Sequence, residues 1–361
     1  MKIVHIITSL GTGGAEKLIV DLLPLLKHDG MDVSLVVMNP ERTPFYLLLE
    51  KTGISIINMK WLKSYYNPLY ILKFLGIMRK FDIVHVHLTA PLLFAAISKI
   101  FCSVPLCVTE HSTYNRRRRY FFLRKFDKWV YNQCDVIACI SEATRVSLID
   151  YLGGTKSNII TIENGIDIKR YSSAKPIIYK EQSLRCILVM VGGLREEKDQ
   201  DTLIKALSLL PRNAFELWIV GDGPRRNELE KLTSQLQLDD EIKFWGNRFD
   251  VPELLKTSDI VIMSSHWEGF GLAALEGMAA GKPLIASDVN GLSSIVNNYG
   301  LLFNPGEVSD LANKILRLYT DKNLYDSIAL KCVNRSLDFD ISMTKEKYEE
   351  MYNELCCHHT S

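Results

Sequence analysis

Two acidic residues, Glu268 and Glu276, stand eight positions apart in the segment SSHWEGFGLAALEGMAAGKPLIASD. The apolar run before it, DIVIMSS, predicts a strand, so that Glu268 lies in a turn and a helix begins near Gly271. Gly269 and Gly271 allow a ligand to approach the backbone, and a helix N-terminus suits phosphate. Carboxylates accept hydrogen bonds from neighbouring hydroxyls, which predicts recognition of a diol. The residues alone also allow another interpretation, in which Glu268 only complements the helix dipole and Glu276 is a solvated residue of the helix surface.

Two cations, Arg195 and Lys198, follow CILVMVGG, the first candidate strand of the second half of the chain. Both are within reach of a diphosphate bound at the glycine turn, and two cations there would neutralise the charge that develops on a departing nucleotide. Surface pairing with Glu196 or Glu197 is the alternative, and such exposed pairs contribute little.

The first half of the chain has its own strand-end candidates. The turn SLGTGGAEK offers the amides of Gly13 and Gly14 to a phosphate or an acceptor, although its spacing is not that of the GxGxxG dinucleotide fingerprint. Of the histidines near strand ends (His85, His87 and His111), His111 in VTEHSTYN is the strongest candidate because a polar loop follows it.

A basic and aromatic segment, YNRRRRYFFLRKFDKWVY, follows His111 and contains Arg116, Arg117, Arg118 and Arg119. It predicts contact with an anionic membrane surface or a lipid-linked acceptor. Residues 1–170 hold 22 Lys and Arg against 14 Asp and Glu, whereas residues 171–361 hold 21 against 28, which agrees with an anionic partner for the first half. A solvated helix packed by its aromatic face is the alternative. No nucleic-acid motif is present, so nucleic acid is not an expected partner.

The predicted strands and helices on which these residues lie form two similar series along the chain. Short apolar strands alternate with helical patterns in each half of the 361 residues, which predicts an α/β protein with two parallel, doubly wound sheets. We predict an N-terminal Rossmann-like domain over 1–168, a linker over 169–183 and a C-terminal Rossmann-like domain over 184–340. A C-terminal helical segment over 341–361 is expected to pack back toward the first domain. Ligands of such sheets bind at the carboxyl ends of the strands.

Other classes of protein fit the sequence poorly. The eight cysteines include no CxxC pair, so we predict neither a zinc site nor any other metal site. The apolar start is too short for a secretory signal, and no apolar run of about 18 residues is present. We therefore expect a cytoplasmic protein, with attachment at the inner face of the plasma membrane as an extension of the membrane hypothesis.

With these residues in view, the chain resembles glycosyltransferase family 4, the retaining, nucleotide-sugar-dependent transferases with the glycosyltransferase-B fold. The resemblance runs along nearly the whole chain. It rests on the segments GTGGAE, DIVHVH, TEHS, NGID, VGGLREEKDQDTLIKA, IVGDGP, FWGN and EGFGLAALEGMAAGKPLIASD. The last, with its two acids, is the most specific.

The resemblance implies that 1–168 is the acceptor-binding domain and that 184–340 is the nucleotide-sugar-binding domain. It also implies a role for each site residue. Glu276 would bind the nucleotide ribose, and Glu268 would contact the donor sugar near the reacting centre. Arg195 and Lys198 would hold the pyrophosphate, and His111 would lie beside the sugar on the opposing domain, across a central cleft. The remaining nucleotide-sugar contacts would be Gly13, Gly14, Gly193, Asn247, Gly269, Phe270, Gly271 and Leu272.

The resemblance also implies a reaction. A sugar would pass from a nucleotide diphosphate, most commonly uridine diphosphate, to a glycan or lipid-linked acceptor with retention and without a cofactor or metal, in surface polysaccharide or glycoconjugate synthesis. Many relatives carry Arg where this chain has Gly193, so Arg195 would have to replace it. A nucleotide-sugar 2-epimerase and a non-catalytic partner of another transferase are the alternatives.

Overall fold

The computed structural model describes residues 1–59, 62, 64–113, 118, 120, 122–177 and 185–359. The chain divides into two compact units. Unit 1 comprises Met1–Gly165 and Ile341–Ser361, and unit 2 comprises Ile166–Asp340.

Unit 1 contains a sheet of seven parallel strands in the order β3-β2-β1-β4-β5-β6-β7. Its strands are β1 (Lys2–Ile7), β2 (Asp32–Val37), β3 (Ser55–Asn58), β4 (Ile83–His87), β5 (Leu106–Glu110), β6 (Val136–Cys139) and β7 (Asn158–Thr161). Its helices before residue 165 are α1 (Gly14–His28), α2 (Pro44–Glu50), α3 (Tyr70–Met78), α4 (Thr89–Lys99), α5 (Leu123–Tyr131) and α6 (Glu142–Leu152).

The strands of unit 1 are apolar along their length because both faces of the sheet are covered. Ile3 and Ile7 of β1 belong to one core cluster, whereas Val4 and Ile6 belong to another. Such alternation follows from the two-residue period of a strand. Each central strand therefore contributes to two cores.

Unit 2 repeats the arrangement with six parallel strands in the order β10-β9-β8-β11-β12-β13. They are β8 (Cys186–Val191), β9 (Phe215–Val220), β10 (Ile242–Gly246), β11 (Ile260–Met263), β12 (Leu284–Ser287) and β13 (Leu301–Phe303). The helices are α7 (Ile168–Ser172), α8 (Gln200–Ser208), α9 (Arg226–Gln235), α10 (Val251–Thr257), α11 (Leu272–Ala279), α12 (Asn290–Val296), α13 (Val308–Thr320) and α14 (Lys322–Ser336). The predicted class, α/β with two doubly wound parallel sheets, is confirmed.

The strand order reverses direction once in each sheet, between β1 and β4 in unit 1 and between β8 and β11 in unit 2. Connections leave the sheet toward opposite sides at such a switch point, and the crevice between them is where doubly wound sheets bind ligands. The loops after these four strands are therefore the places to look for a site.

The last helix, α15 (Ile341–His359), belongs to unit 1 although the chain reaches it from unit 2. Its Tyr348, Met351, Tyr352 and Leu355 join the same core cluster as Ile3 and Ile7. The hydroxyl of Thr344 donates to the carbonyl oxygen of Glu163 at 2.9 Å and secures the start of the helix.

The segment predicted as a linker, 169–183, begins inside α7. Asp167 caps this helix by accepting a hydrogen bond from the amide of Arg170 at 3.0 Å. A helix of five residues is too short to show an apolar period in the sequence, which is why the pattern did not reveal it. Residues 178–184 lie outside the described residues.

Candidate functional site

The loops that follow β8 and β11 are tied together in unit 2. The hydroxyl of Ser264 donates to the carbonyl oxygens of Lys198 at 3.1 Å and Asp199 at 2.8 Å. The amide of His266 donates to the carbonyl oxygen of Glu197 at 2.9 Å. The switch point is thus a backbone scaffold shared by two loops.

On this scaffold Lys198 and Glu268 form an ion pair, although 70 positions separate them. The side chains are only 20% and 13% exposed. The hydroxyl of Ser265 donates a longer hydrogen bond, at 3.4 Å, to the same carboxylate oxygen of Glu268. The structure therefore brings together two of the residues that the sequence predicted as one site.

Glycines shape the floor of this site. Gly271 caps α11 at a φ of 106°, a conformation that disfavours every other residue, and a Cβ there would lie 2.7 Å from Leu292 Cδ2. A Cβ on Gly223 would lie 2.7 Å from the amide nitrogen of Leu194, so the turns after β8 and β9 touch through their backbones. Gly291 meets the backbone of Glu268 in the same way.

The other predicted residues of unit 2 occupy different environments. Glu276 is buried within α11, at 4% exposure, so it is not the solvated helix residue of the alternative interpretation. Phe270 is buried and packs edge-to-face on Phe339, with 5.6 Å between the ring centroids. Gly269 and Leu272 flank it at the start of the helix, and Asn247 is exposed after β10.

Arg195 is 64% exposed, and its Nη1 lies 3.8 Å from Glu197, which is the surface pairing stated as its alternative. Its side chain passes over Gly193: a Cβ on Gly193 would lie 3.5 Å from Arg195 Nε. Gly193 itself is held by Gln200, whose Nε2 donates to its carbonyl oxygen at 3.0 Å. The guanidinium of Arg195 thus covers the position that a side chain at residue 193 would fill.

In unit 1 the glycine turn follows β1 as predicted. Gly13 is the N-cap of α1 and Gly14 is its first residue. The carboxylate of Glu16, in the first turn, folds back against Gly13, where a Cβ would overlap it. An acid in this place complements the helix dipole.

His111 directly follows β5, and its Nε2 lies 3.0 Å from Nδ1 of His87. Its Nδ1 is buried and has no hydrogen-bond partner among the described residues. Burial lowers the pKa of His111 to about 3, so the ring is neutral at physiological pH.

Of the four consecutive arginines of the basic segment, the structure describes one. Arg116, Arg117 and Arg119 lie outside the described residues. The side chain of Arg118 is 10% exposed; it donates to the carbonyl oxygen of Thr113 and to Ser147, and it lies over the ring of Tyr151. Arg118 is therefore held by packing contacts within unit 1, and its contact with a membrane or acceptor stays a prediction.

The buried partners of the histidines that end at His111 were not among the residues predicted from the sequence. His5, Tyr348 and Tyr352 are fully buried and hydrogen bond within the same group of side chains as His85 and His87. The HxH spacing of β4 is the signal that could have found them, because residues two apart in a strand share a face.

The fold, with two doubly wound parallel sheets, is that of the glycosyltransferases with the B-type fold. Two family models match the chain: Glycosyltransferase Family 4 over residues 12–170 and Glycosyl transferases group 1 over residues 176–331. The chain belongs to glycosyltransferase family 4, and the predicted resemblance is confirmed.

Two curated relatives and one solved structure illustrate the likeness. The UDP-Gal:alpha-D-GlcNAc-diphosphoundecaprenol alpha-1,3-galactosyltransferase of Escherichia coli is 26% identical over 98% of this chain and 96% of its own. The 2-deoxystreptamine glucosyltransferase of Streptomyces kanamyceticus is 25% identical over 83% of this chain and 82% of its own. The crystal structure of Anabaena Alr3699/HepE in complex with UDP-glucose matches with a TM-score of 0.88 at 24% identity, over 98% of this chain and 100% of that one.

Proposed function

We propose that this glycosyltransferase moves a hexose from a UDP-sugar to a lipid-linked acceptor, with retention of the anomeric configuration and without a metal. The observation that carries the donor half is the Lys198–Glu268 pair at the glycine-lined switch point of unit 2. The E. coli relative uses UDP-Gal by its name, and the Anabaena neighbour was solved with UDP-glucose, which supports a UDP-sugar.

Each half of the pair has a part in the proposal. Lys198 holds the diphosphate and neutralises its charge as the nucleotide departs, and Glu268 accepts hydrogen bonds from hydroxyls of the sugar. The amides of Phe270, Gly271 and Leu272 bind anionic oxygens at the start of α11. When no donor is bound, the ion pair compensates the partly buried charges of Lys198 and Glu268, and a bound donor would replace it with its own contacts.

Glu276 binds the ribose hydroxyls. Its burial at 4% exposure makes it a fixed acceptor rather than a mobile surface acid. Glu276→Gln keeps the volume and removes the charge, so we expect weaker UDP binding without loss of folding. The measurement is the rise in melting temperature with UDP, which a ligand of the folded form produces.

Arg195 replaces the arginine that many relatives carry at the position of Gly193. The guanidinium of Arg195 already covers Gly193, and its 64% exposure leaves it free to turn toward a phosphate. We expect Arg195→Ala to lose activity and Gly193→Arg to restore it in that background. A double variant no better than Arg195→Ala would remove this part of the proposal.

Activity tests the proposal as a whole. Purified protein is expected to hydrolyse UDP-glucose or UDP-galactose slowly, and Lys198→Ala and Glu276→Gln to abolish this, whereas exposed Lys205→Ala on α8 is the control. Undiminished hydrolysis in both site variants would reject the site. Epimerisation of the donor sugar in the absence of acceptor would favour the nucleotide-sugar 2-epimerase. If no donor is turned over at all, the non-catalytic partner is favoured.

Stereochemistry and metal use are tested on the same product. Proton NMR of the product formed from an α-linked donor should show an α-linkage if transfer is retaining. Activity in the presence of EDTA should equal activity without it. A β-linked product or a requirement for added divalent cation would contradict the respective claim.

The proposal of a lipid-linked acceptor is based on an exposed surface of unit 1, which we call the α5 surface. It comprises Phe122, Phe126 and Trp129, exposed by 64%, 42% and 37%, together with exposed Arg124 and Lys125. Exposed aromatic rings beside cations suit the headgroup layer of an anionic membrane. The acceptor named for the E. coli relative is a diphosphoundecaprenol lipid.

Vesicle flotation tests the α5 surface. We expect binding to vesicles of phosphatidylglycerol and phosphatidylcholine, and its loss in Phe126→Ser/Trp129→Ser. Leu330→Ser, at an apolar position of α14 that is 63% exposed, is the control. Equal binding by all three proteins would contradict membrane contact at this surface and favour a free acceptor, as in the Streptomyces relative. Among the described residues, no helix combines the length and the apolar character that crossing a bilayer requires.

A further inference from the structure

Seven side chains in the interior of unit 1 form one hydrogen-bonded series that ends at His111. All but the last are at most 1% exposed. In order they are Tyr348, Thr109, His85, Tyr352, His5, His87 and His111. The series joins α15 to the strand ends of β4 and β5.

The contacts are of ordinary hydrogen-bond length. Tyr348 Oη lies 3.0 Å from Thr109 Oγ1, which lies 2.7 Å from His85 Nε2, and His85 Nδ1 lies 2.6 Å from Tyr352 Oη. Tyr352 Oη lies 3.2 Å from His5 Nε2, His5 Nδ1 lies 3.0 Å from His87 Nε2, and His87 Nδ1 lies 3.0 Å from His111 Nε2. Both ring nitrogens of His5, His85 and His87 are therefore used.

These contacts restrict where the protons can be. Burial lowers the pKa of His5 and His111 to about 3, and of His85 and His87 well below the usual value, so each imidazole is neutral and carries one N–H. Each contact needs one proton, and each group has one to give. A hydroxyl oxygen can accept two hydrogen bonds, whereas an inner neutral imidazole must donate at one of its two engaged nitrogens. Every contact is therefore satisfied in four arrangements, in which the one spare proton lies on Tyr348, Thr109, Tyr352 or His111.

The four arrangements differ in how many enclosed groups they leave unpaired. In three of them the spare proton belongs to a hydroxyl that is at most 1% exposed, on Tyr348, Thr109 or Tyr352, and Nδ1 of His111 is left as an unpaired acceptor as well. An enclosed, unpaired O–H costs about 1–3 kcal/mol. In the fourth arrangement all groups donate toward His111, and the Nδ1–H of His111 is the one group of the series left unpaired among the described residues; Nδ1 is itself buried, so it is an enclosed donor until a ligand reaches it. A bound ligand can accept that hydrogen bond.

We propose that Tyr348, Tyr352 and the three inner histidines are positioning residues that hold His111 as the Nδ1–H tautomer, so that it donates a hydrogen bond to an acceptor oxygen of the substrate. In this form His111 has no free lone pair, because Nε2 accepts from His87. It therefore cannot act as a general base. The step from tautomer to substrate rests on the proposed function, whereas the tautomer itself does not.

A metal is the competing use for the same histidines, since ligand atoms of His5, His85 and His87 all lie within 4.8 Å of one another. The rings of His85 and His87 are stacked, with centroids 4.5 Å apart, and so are those of His5 and His87, at 5.3 Å. An ion would have to displace hydrogen bonds from nitrogens that are all engaged. The arrangement fits a proton-ordered network better than a coordination sphere.

The test is the tautomer of each histidine, read from nitrogen chemical shifts in ligand-free protein labelled with ¹⁵N-histidine. The ordered arrangement requires the Nδ1–H form in His5, His85, His87 and His111 together. A mixture of forms among the four, the Nε2–H form in His111, or one equivalent of bound zinc in purified protein would overturn the proposal.

Tyr352→Phe tests whether the order is transmitted. It removes one hydroxyl without changing volume, so His5 loses the donor at Nε2 and His111 should become a mixture of tautomers. Tyr46→Phe, in the same core cluster but bonded to Asn58, should leave the spectrum unchanged. An unchanged His111 in folded Tyr352→Phe would contradict the proposal, and if that variant does not fold, the four tautomers of the wild type decide.

Kinetics connect the tautomer to the substrate. We expect kcat/KM to fall about tenfold in Tyr352→Phe and to stay at the wild-type value in Tyr46→Phe. A changed tautomer with unchanged kcat/KM would refute the substrate contact. If the wild type shows no transfer at all, it is the proposed function that fails, while the spectra still judge the network.

Discussion

The Lys198–Glu268 pair allows stability and catalysis to be separated. Lys198→Met keeps most of the side-chain length and removes the charge, so the carboxylate of Glu268, at 13% exposure, loses its cation and keeps the hydrogen bond from Ser265. Exposed ion pairs contribute about 0.2–1 kcal/mol, and breaking a fully buried pair costs about 3–5 kcal/mol. Because both side chains are mostly but not fully covered, we expect the variant to lose about 1–3 kcal/mol of unfolding free energy.

The effect on catalysis should be larger and of a different origin. Removal of one preorganised contact to developing charge typically lowers kcat by about 10²–10³. Glu268→Gln and the double variant Lys198→Met/Glu268→Gln complete a cycle. The double variant should regain stability relative to Lys198→Met, because the carboxylate that lost its cation is replaced by a neutral amide. It should regain no activity, because the cation that holds the diphosphate is still missing.

The assays are urea unfolding and single-turnover donor hydrolysis, with Lys205→Met on the exposed side of α8 as the matched control. Recovery of activity in the double variant to within about threefold of the wild type would mean that Lys198 serves only to neutralise Glu268. The proposed diphosphate contact would then be refuted even though the pair is real.

Two further predictions concern packing and pH. Gly223→Ala places a Cβ against the backbone of Leu194 and should cost about 1–3 kcal/mol of unfolding free energy, whereas Gly76→Ala, in α3 with open space around it, should be neutral or stabilising; equal melting temperatures would contradict this. Burial lowers the pKa of His5 and of His111 to about 3, so between pH 6.5 and about 3 these rings bind a proton only when the protein unfolds. The stability that they contribute above pH 6.5 is therefore lost as the pH falls through that window, by about 1.4 kcal/mol per pH unit for each histidine. Hydrogen exchange in β1 and β5 at pH 7 and pH 5 measures it, and equal protection at the two values would count against buried neutral histidines.

Much of the fold was predictable because buried parallel strands leave a strong signal. Runs such as CILVMVGG and DIVIMSS are apolar throughout, since both faces of the sheet are covered, and glycines mark the turns that follow. Those runs also predicted that Lys198 and Glu268 come from neighbouring strand ends. The helix α7 was missed, because a five-residue helix is held by its Asp167 cap and leaves no periodic pattern.

The fate of single side chains was less predictable. A run of basic residues does not say which of them turns inward, and Arg118 does so because Glu110, Ser147 and Tyr151, distant in sequence, surround it. The burial of Glu276 likewise depends on how α11 packs, since a helix residue beside both apolar and polar neighbours can face either way. Tertiary packing, rather than local pattern, decides these positions.

The histidine network shows how one rule of strand geometry has a chemical consequence. Because side chains two apart share a face, His85 and His87 of β4 must point into the same core as Thr109 of β5 and His5 of β1. Polar groups in such a place destabilise the fold unless each finds a partner. The partners that complete the series are the hydroxyls of α15, from the opposite end of the chain. It follows that α15 is part of the support of His111, and that its tyrosines belong with the site rather than with the packing of a terminal helix.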